Sequence, residues 1–216
     1  MNRNARIAFA LIAVVGWAAL LTQLCIVILY PTPENPEIGA RVMRFVSFFT
    51  VWGNTAVTVA STFIAINSEN RLGRFFGLDA TLAAVATYIA IVAVIYSLLL
   101  RKPWDPTTIR GLLDTTFHDL IPAAYVLCWL ISAPKARLRW LDPIYWLVFP
   151  GLFITYTLIR GAVIGWYPYY FANVTLLGYP TALRNTGFVL LTFVIVGMVF
   201  VLAGKLIVHR TGATQN

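Results

Sequence analysis

Apolar runs recur along the chain at roughly 6–30, 40–66, 80–100, 117–132, 144–165 and 187–208, and all but the fourth reach the about 20 residues a helix needs to cross hydrocarbon. Backbone groups in hydrocarbon find no water, so a spanning run must satisfy its own hydrogen bonds, which selects helices. The expectation is an all-α, polytopic membrane protein: one integral domain over 1–216, folded as a six-helix bundle. With 60% hydrophobic and 11% charged residues and a mean hydropathy of +0.79, a soluble globular domain is excluded. The first run is longer than the apolar core of a signal peptide and has no small-residue cleavage pattern after it, so it is read as a helix.

A net charge of +8 suggests nucleic acid as a partner, but the basic residues sit in short connections rather than in one patch. Topology explains them better. With the amino terminus inside, Arg3, Arg6, Arg71, Arg74, Lys135, Arg137, Arg139, Lys205 and Arg210 fall on the inner side. Arg41, Arg44, Arg101, Lys102, Arg110 and Arg184 fall outside. Nine against six favours cytoplasmic termini. Trp104, Trp140, Trp166, Tyr167, Tyr169 and Tyr170 are expected at the interfaces. The tetrapeptide Pro-Thr-Pro-Glu at 31–34 and Lys-Pro-Trp-Asp-Pro at 102–106 mark loops. Cys25 and Cys128 have no metal-ligand spacing and read as buried small hydrophobes.

The second run carries Ser47, Thr50, Asn54, Thr58 and Ser61 at steps of three or four, a polar stripe along one helical face. At bilayer depth such a stripe turns inward, to bond a neighbour or to line a wet cavity. Thr50 lies about ten residues into an unbroken helix, or roughly 15 Å deep. His118 begins the fourth helix and Arg160 lies five residues short of the fifth helix's end, so all three share one half of the bundle.

Each has two readings. A membrane threonine commonly bonds its own carbonyl one turn back; as a nucleophile, Thr50 needs a base within reach, and His118 is the candidate because His209 lies past the last helix. Asn54 can serve an interhelix hydrogen bond or donate to an oxyanion. Asp114 and Asp119 flank His118; either can cap the helix or orient the imidazole, and only Asp114 shares its face. Arg160 carries an insertion cost of at least about 2.5 kcal/mol; its fork suits a substrate carboxylate or phosphate, or it snorkels or pairs with an aspartate. Tyr156, four residues earlier, shares its face, and Tyr125 completes the supporting or substrate-binding candidates. The Trp166–Phe171 segment reads as an interfacial aromatic loop that can also roof the site.

Phe49-Thr50, His118 with Pro122 after it, and the Trp-x-Pro-x-x-Phe segment at 166–171 together resemble the androgen-induced gene family, which includes the androgen-dependent TFPI-regulating protein. The chain looks like a bacterial six-helix relative of these membrane threonine hydrolases, and the resemblance spans the second to fifth helices and the following loop. The histidine-to-proline spacing is one residue shorter here. What the resemblance implies is hydrolysis of fatty acid esters of hydroxy fatty acids in the cell membrane, with Thr50 as nucleophile and His118 as base, no metal and no cofactor. The implied partners are a lipid or fatty acyl ester and membrane lipids, not nucleic acid. The competing class is a non-enzymatic bundle that binds or transports a lipid or small amphiphile through the same stripe.

Overall fold

The computed structural model describes residues 1–31, 33, 36–101, 105 and 107–213. Lys102 and Trp104 lie outside the described residues, as do Thr32, Glu34, Pro103 and Pro106 of the two loop motifs. The described residues form helices and connections without strands. They are α1 (Arg3–Leu29), α2 (Ile38–Phe45), α3 (Phe49–Ala65), α4 (Arg71–Phe76), α5 (Asp79–Ile95), α6 (Ile109–Thr115), α7 (Ile121–Ser132), α8 (Asp142–Trp146), α9 (Val148–Ile164) and α10 (Val174–Ala213). Single π-helical turns follow α5 at Tyr96–Leu100 and join α6 to α7 at Thr116–Leu120.

Among the described residues, four helices are long and apolar enough to cross a membrane: Arg3–Leu29, Asp79–Leu100, Asp142–Ile164 and Val174–Arg210. A fifth crossing arises if α2 and α3 count as one. Residues 109–132 are helical throughout, but Arg110, Asp114, His118 and Asp119 dilute their apolarity. Exposed Leu11, Val14, Leu98, Ile131 and Val163 make the bundle's surface apolar, as a lipid-facing surface is.

The helix from Asp79 to Leu100 is the centre, 61% buried against 28% for each of the other three spans. Its Ala83, Ala84, Ala86 and Ala90 let neighbouring backbones approach closely. Opposite faces of α1 and α3 meet just as tightly: a Cβ on Gly16 would lie 2.1 Å from the Thr58 hydroxyl. Basic residues close helix ends at both sides of the bundle. Arg41 donates to Val27 O and Ile28 O at the end of α1, and Arg6 donates to Ala65 O at the end of α3. Lys205 takes Leu138 O and Lys135 takes Ala133 O. Satisfying orphan carbonyls gives these scattered cations local work beyond topology.

Four expectations are corrected. Residues 40–66 are two helices bent by 70° at Val46–Phe48. The Ser47 hydroxyl turns back onto Met43 O, and the indole N–H of Trp52 takes Val46 O at 2.8 Å; side chains thus replace the lost helical donors. The fourth helix begins at Ile109, capped by Thr108 rather than by either aspartate, so His118 lies inside it. The last helical stretch begins at Val174, well before the run expected from 187, with two helices meeting at a kink at Gly178 (φ +73°) just before Pro180. Cys25 is exposed and Cys128 half-buried. Of the expected interfacial aromatics, Trp140 and Tyr170 are exposed, whereas Tyr167 and Tyr169 are buried.

Candidate active site

Thr50 is the second residue of α3, just past the break. The carbonyl one turn back belongs to Val46 and is occupied by Trp52. The Thr50 hydroxyl therefore turns out of its helix and meets His118 Nε2 at 3.3 Å. Other hydroxyls in these helices do the reverse: Thr58 donates to Asn54 O, Thr62 to Thr58 O and Thr87 to Ala83 O. A backbone break has released one threonine from the commonplace membrane role.

His118 sits in the π turn at Thr116–Leu120, a local widening that recurs at functional positions. In that register the donor missing at Pro122 would have served Phe117 O. Asn54 supplies the replacement, its Nδ2 donating to Phe117 O at 3.2 Å and to Thr50 O at 2.9 Å. The amide so ties α3 to the π turn and fixes the spacing of Thr50 and His118. Its donors are engaged, and its Oδ1 is buried with no partner among the described residues. Donation to an oxyanion, one of the two readings of Asn54, has no free N–H to use.

The imidazole is oriented from behind. His118 Nδ1 lies 2.9 Å from Asp114 O and 3.3 Å from Asp114 Oδ1. A carbonyl only accepts, so Nδ1 carries the proton and Nε2 turns its lone pair to Thr50. Tyr96, in the other π turn, stacks on the ring with centroids 3.5 Å apart and donates to Asp114 Oδ1 at 2.5 Å. Asp119 turns away and pairs with Arg101 at 2.6 Å. Tyr96 was the missing member: one tyrosine in an apolar run, for which sequence offers no pairing signal.

Phe48, at the start of α3, gives no side-chain cap, and Tyr169 takes that place. Its hydroxyl oxygen accepts the Phe49 N–H at 2.9 Å. Burial pushes the phenol up to about 12 against that contact, so it stays protonated at neutral pH.

Arg160 and Tyr156 do other work. Arg160 Nη1 donates to Ser47 Oγ at 2.6 Å and Nη2 to Trp166 O at 2.8 Å, with the guanidinium 4.7 Å from the Trp166 ring. These contacts pin the break and the aromatic loop together; neither a snorkelling head nor an aspartate pair is seen. Tyr156 donates to Met43 Sδ at 3.2 Å. Tyr125 is fully buried edge-on against Phe9, and its hydroxyl has no partner among the described residues.

A cavity of about 660 Å³, its mouth included, opens beside Thr50. Apolar groups of α3, α5, α9 and α10 line it, among them Phe49, Ile91, Ile95, Phe153, Ile154 and Phe193. Thr50, Tyr96 and Tyr169 edge this wall. An apolar lining with few polar groups suits a hydrocarbon chain. Among the described residues no three of His, Cys, Asp and Glu converge as metal ligands. Against known proteins, no family model, no curated protein and no solved structure matches the chain.

Proposed function

We propose that the protein is an intramembrane hydrolase of lipid esters, with Thr50 as nucleophile, His118 as general base and Asp114 holding the imidazole. The observation that carries this reading is the Thr50 hydroxyl at 3.3 Å from a histidine nitrogen whose tautomer leaves it a base, at the edge of an apolar cavity. An acyl chain fills the cavity and puts its ester carbonyl at Thr50. His118 takes the hydroxyl proton as the Thr50 Oγ1–carbonyl bond forms, then gives it to the leaving alkoxide. The same imidazole next activates water to release the acid and regenerate Thr50. Each proton taken by Nε2 is returned, so the cycle needs no co-reactant beyond water.

Fatty acid esters of hydroxy fatty acids are the substrates to try first, following the residue resemblance. The reading also takes α2 with α3, and the helix of residues 109–132, as two further crossings of a cell membrane. This gives six spans with both termini cytoplasmic. Arg160 is assigned to the scaffold in this reading and not to the substrate carboxylate.

Purified enzyme in detergent or vesicles, assayed with such esters and with p-nitrophenyl acyl esters, tests the proposal. Thr50→Ala and His118→Ala each lose turnover while keeping the wild-type melting temperature. Retained turnover in either variant rejects the mechanism. Binding of the ester without consumption, in the wild-type protein, supports the carrier class instead.

A further inference from the structure

The pair that attacks is accounted for, but a tetrahedral intermediate also needs a donor for its oxygen. Asn54 has none to spare, and Arg160, whose terminal nitrogens hold Ser47 and Trp166 while its Nε has no partner among the described residues, is not among the residues lining the cavity. We propose that Tyr169 is a catalytic residue of the same site, its phenol O–H being the oxyanion donor for the ester carbonyl attacked by Thr50. This inference rests on the hydrolase reading above.

Three observations support it. The phenol oxygen accepts the Phe49 N–H at the start of α3 at 2.9 Å. The group has its own proton left to give, and a donor on the oxygen strengthens that O–H. The ring is fixed: Phe171 stacks on it at 5.2 Å, while Phe48 and Phe153 meet it edge-on. Finally, Tyr169 lines the same cavity as Thr50.

At rest the Thr50 hydroxyl faces His118 Nε2 at 3.3 Å. As Thr50 Oγ1 bonds to the carbonyl carbon, the carbonyl π pair moves onto oxygen and the hydroxyl proton moves to His118. The Tyr169 O–H then donates to that oxygen. Collapse restores the carbonyl, breaks the bond to the leaving oxygen and returns the proton from His118 to it. Tyr169 keeps its proton throughout.

Tyr169→Phe keeps the ring and removes the donor. kcat is expected to fall about 10²- to 10³-fold with KM near the wild-type value. Affinity for an acyl trifluoromethyl ketone, which forms a hemiketal oxyanion on Thr50, is expected to fall by a similar factor, while a matched acyl amide binds as before. A residue that merely caps α3 would weaken both ligands alike or neither. If the phenylalanine variant does not fold, 3-fluorotyrosine at 169 serves: its phenol ionises at lower pH, so the alkaline limb of activity moves down. Wild-type kcat in Tyr169→Phe, parallel loss of both ligands, or an unmoved alkaline limb overturns the assignment. If Thr50→Ala still abolishes turnover in that case, the hydrolase reading stands without it; if Thr50→Ala is active, both fall.

Discussion

Thr50 and Thr58 lie two turns apart on one face of one helix, yet they have opposite fates. Thr58 folds its hydroxyl back onto Asn54 O and packs against Gly16, closing α3 on α1. Thr50 has no such carbonyl to take, because the chain bends by 70° just before it and Trp52 holds Val46 O. Its hydroxyl is left facing His118 and a cavity. Side-chain type is the same; the break leaves the Thr50 hydroxyl to meet His118, whereas the continuous helix holds that of Thr58 on its own backbone.

The largest effect to expect is at Thr50 itself. Thr50→Ala should lower lipid ester turnover by about 10⁴-fold or more, the scale set by losing the nucleophile of a cooperating set. Thr58→Val should leave kcat near wild type in the same assay. If the two variants lose activity equally, the contrast drawn between them is wrong.

Asp114→Asn comes next. Loss of the carboxylate removes support for the imidazolium and should lower kcat by about 10²- to 10⁴-fold. A kcat measurement on the purified variant checks this, and a wild-type kcat would contradict the orientation assigned to Nδ1.

Trp52→Phe probes the break. Freeing Val46 O offers Thr50 the backbone acceptor that Thr58 already has, and activity should fall by about tenfold with the fold preserved. Unchanged kcat would mean that Trp52 does not keep the hydroxyl free. Smaller again, and on stability rather than chemistry, Asn54→Leu strips Phe117 O of its donor at the π turn. A loss of about 1–3 kcal/mol is expected in thermal or denaturant unfolding.

How much of this was legible in the sequence varies along the chain. The runs at 6–30, 80–100 and 144–165 end within a few residues of Arg3–Leu29, Asp79–Leu100 and Asp142–Ile164, because unbroken apolarity is a strong signal. The break at Val46–Phe48 was hidden: it contains neither Gly nor Pro and is stabilised by Trp52 and Arg160 from outside the local sequence. The early start of the fourth helix was missed because Arg110 and Asp114 made its first turns read as loop. The helical turns from Val174 were missed as well, because Gly178 and Pro180 interrupt the chain before the apolar run of the last helix, and the backbone does leave the helix at Gly178.

In the site, the Thr50–His118 pairing was expected from resemblance and depth, while Asp114 and Asp119 were both kept as partners of the imidazole, with helical spacing placing only Asp114 on its face. Tyr96 and the inward turn of Tyr169 come from tertiary packing alone. The depth argument assumed an unbroken helix and still brought Thr50, His118 and Arg160 to one end. It could not show that Arg160 acts on Ser47, three residues before the nucleophile, rather than on a ligand.

The most direct test of the central claim is covalent. A lipid-tailed fluorophosphonate applied to the protein in its membrane, followed by peptide mass spectrometry, should place a single adduct on Thr50, with Thr58 and Thr62 unmodified. That adduct should vanish in His118→Ala. An adduct absent from the wild-type protein, carried by another hydroxyl, or unaffected by loss of His118 would contradict the claim that the broken helix makes Thr50 a nucleophile.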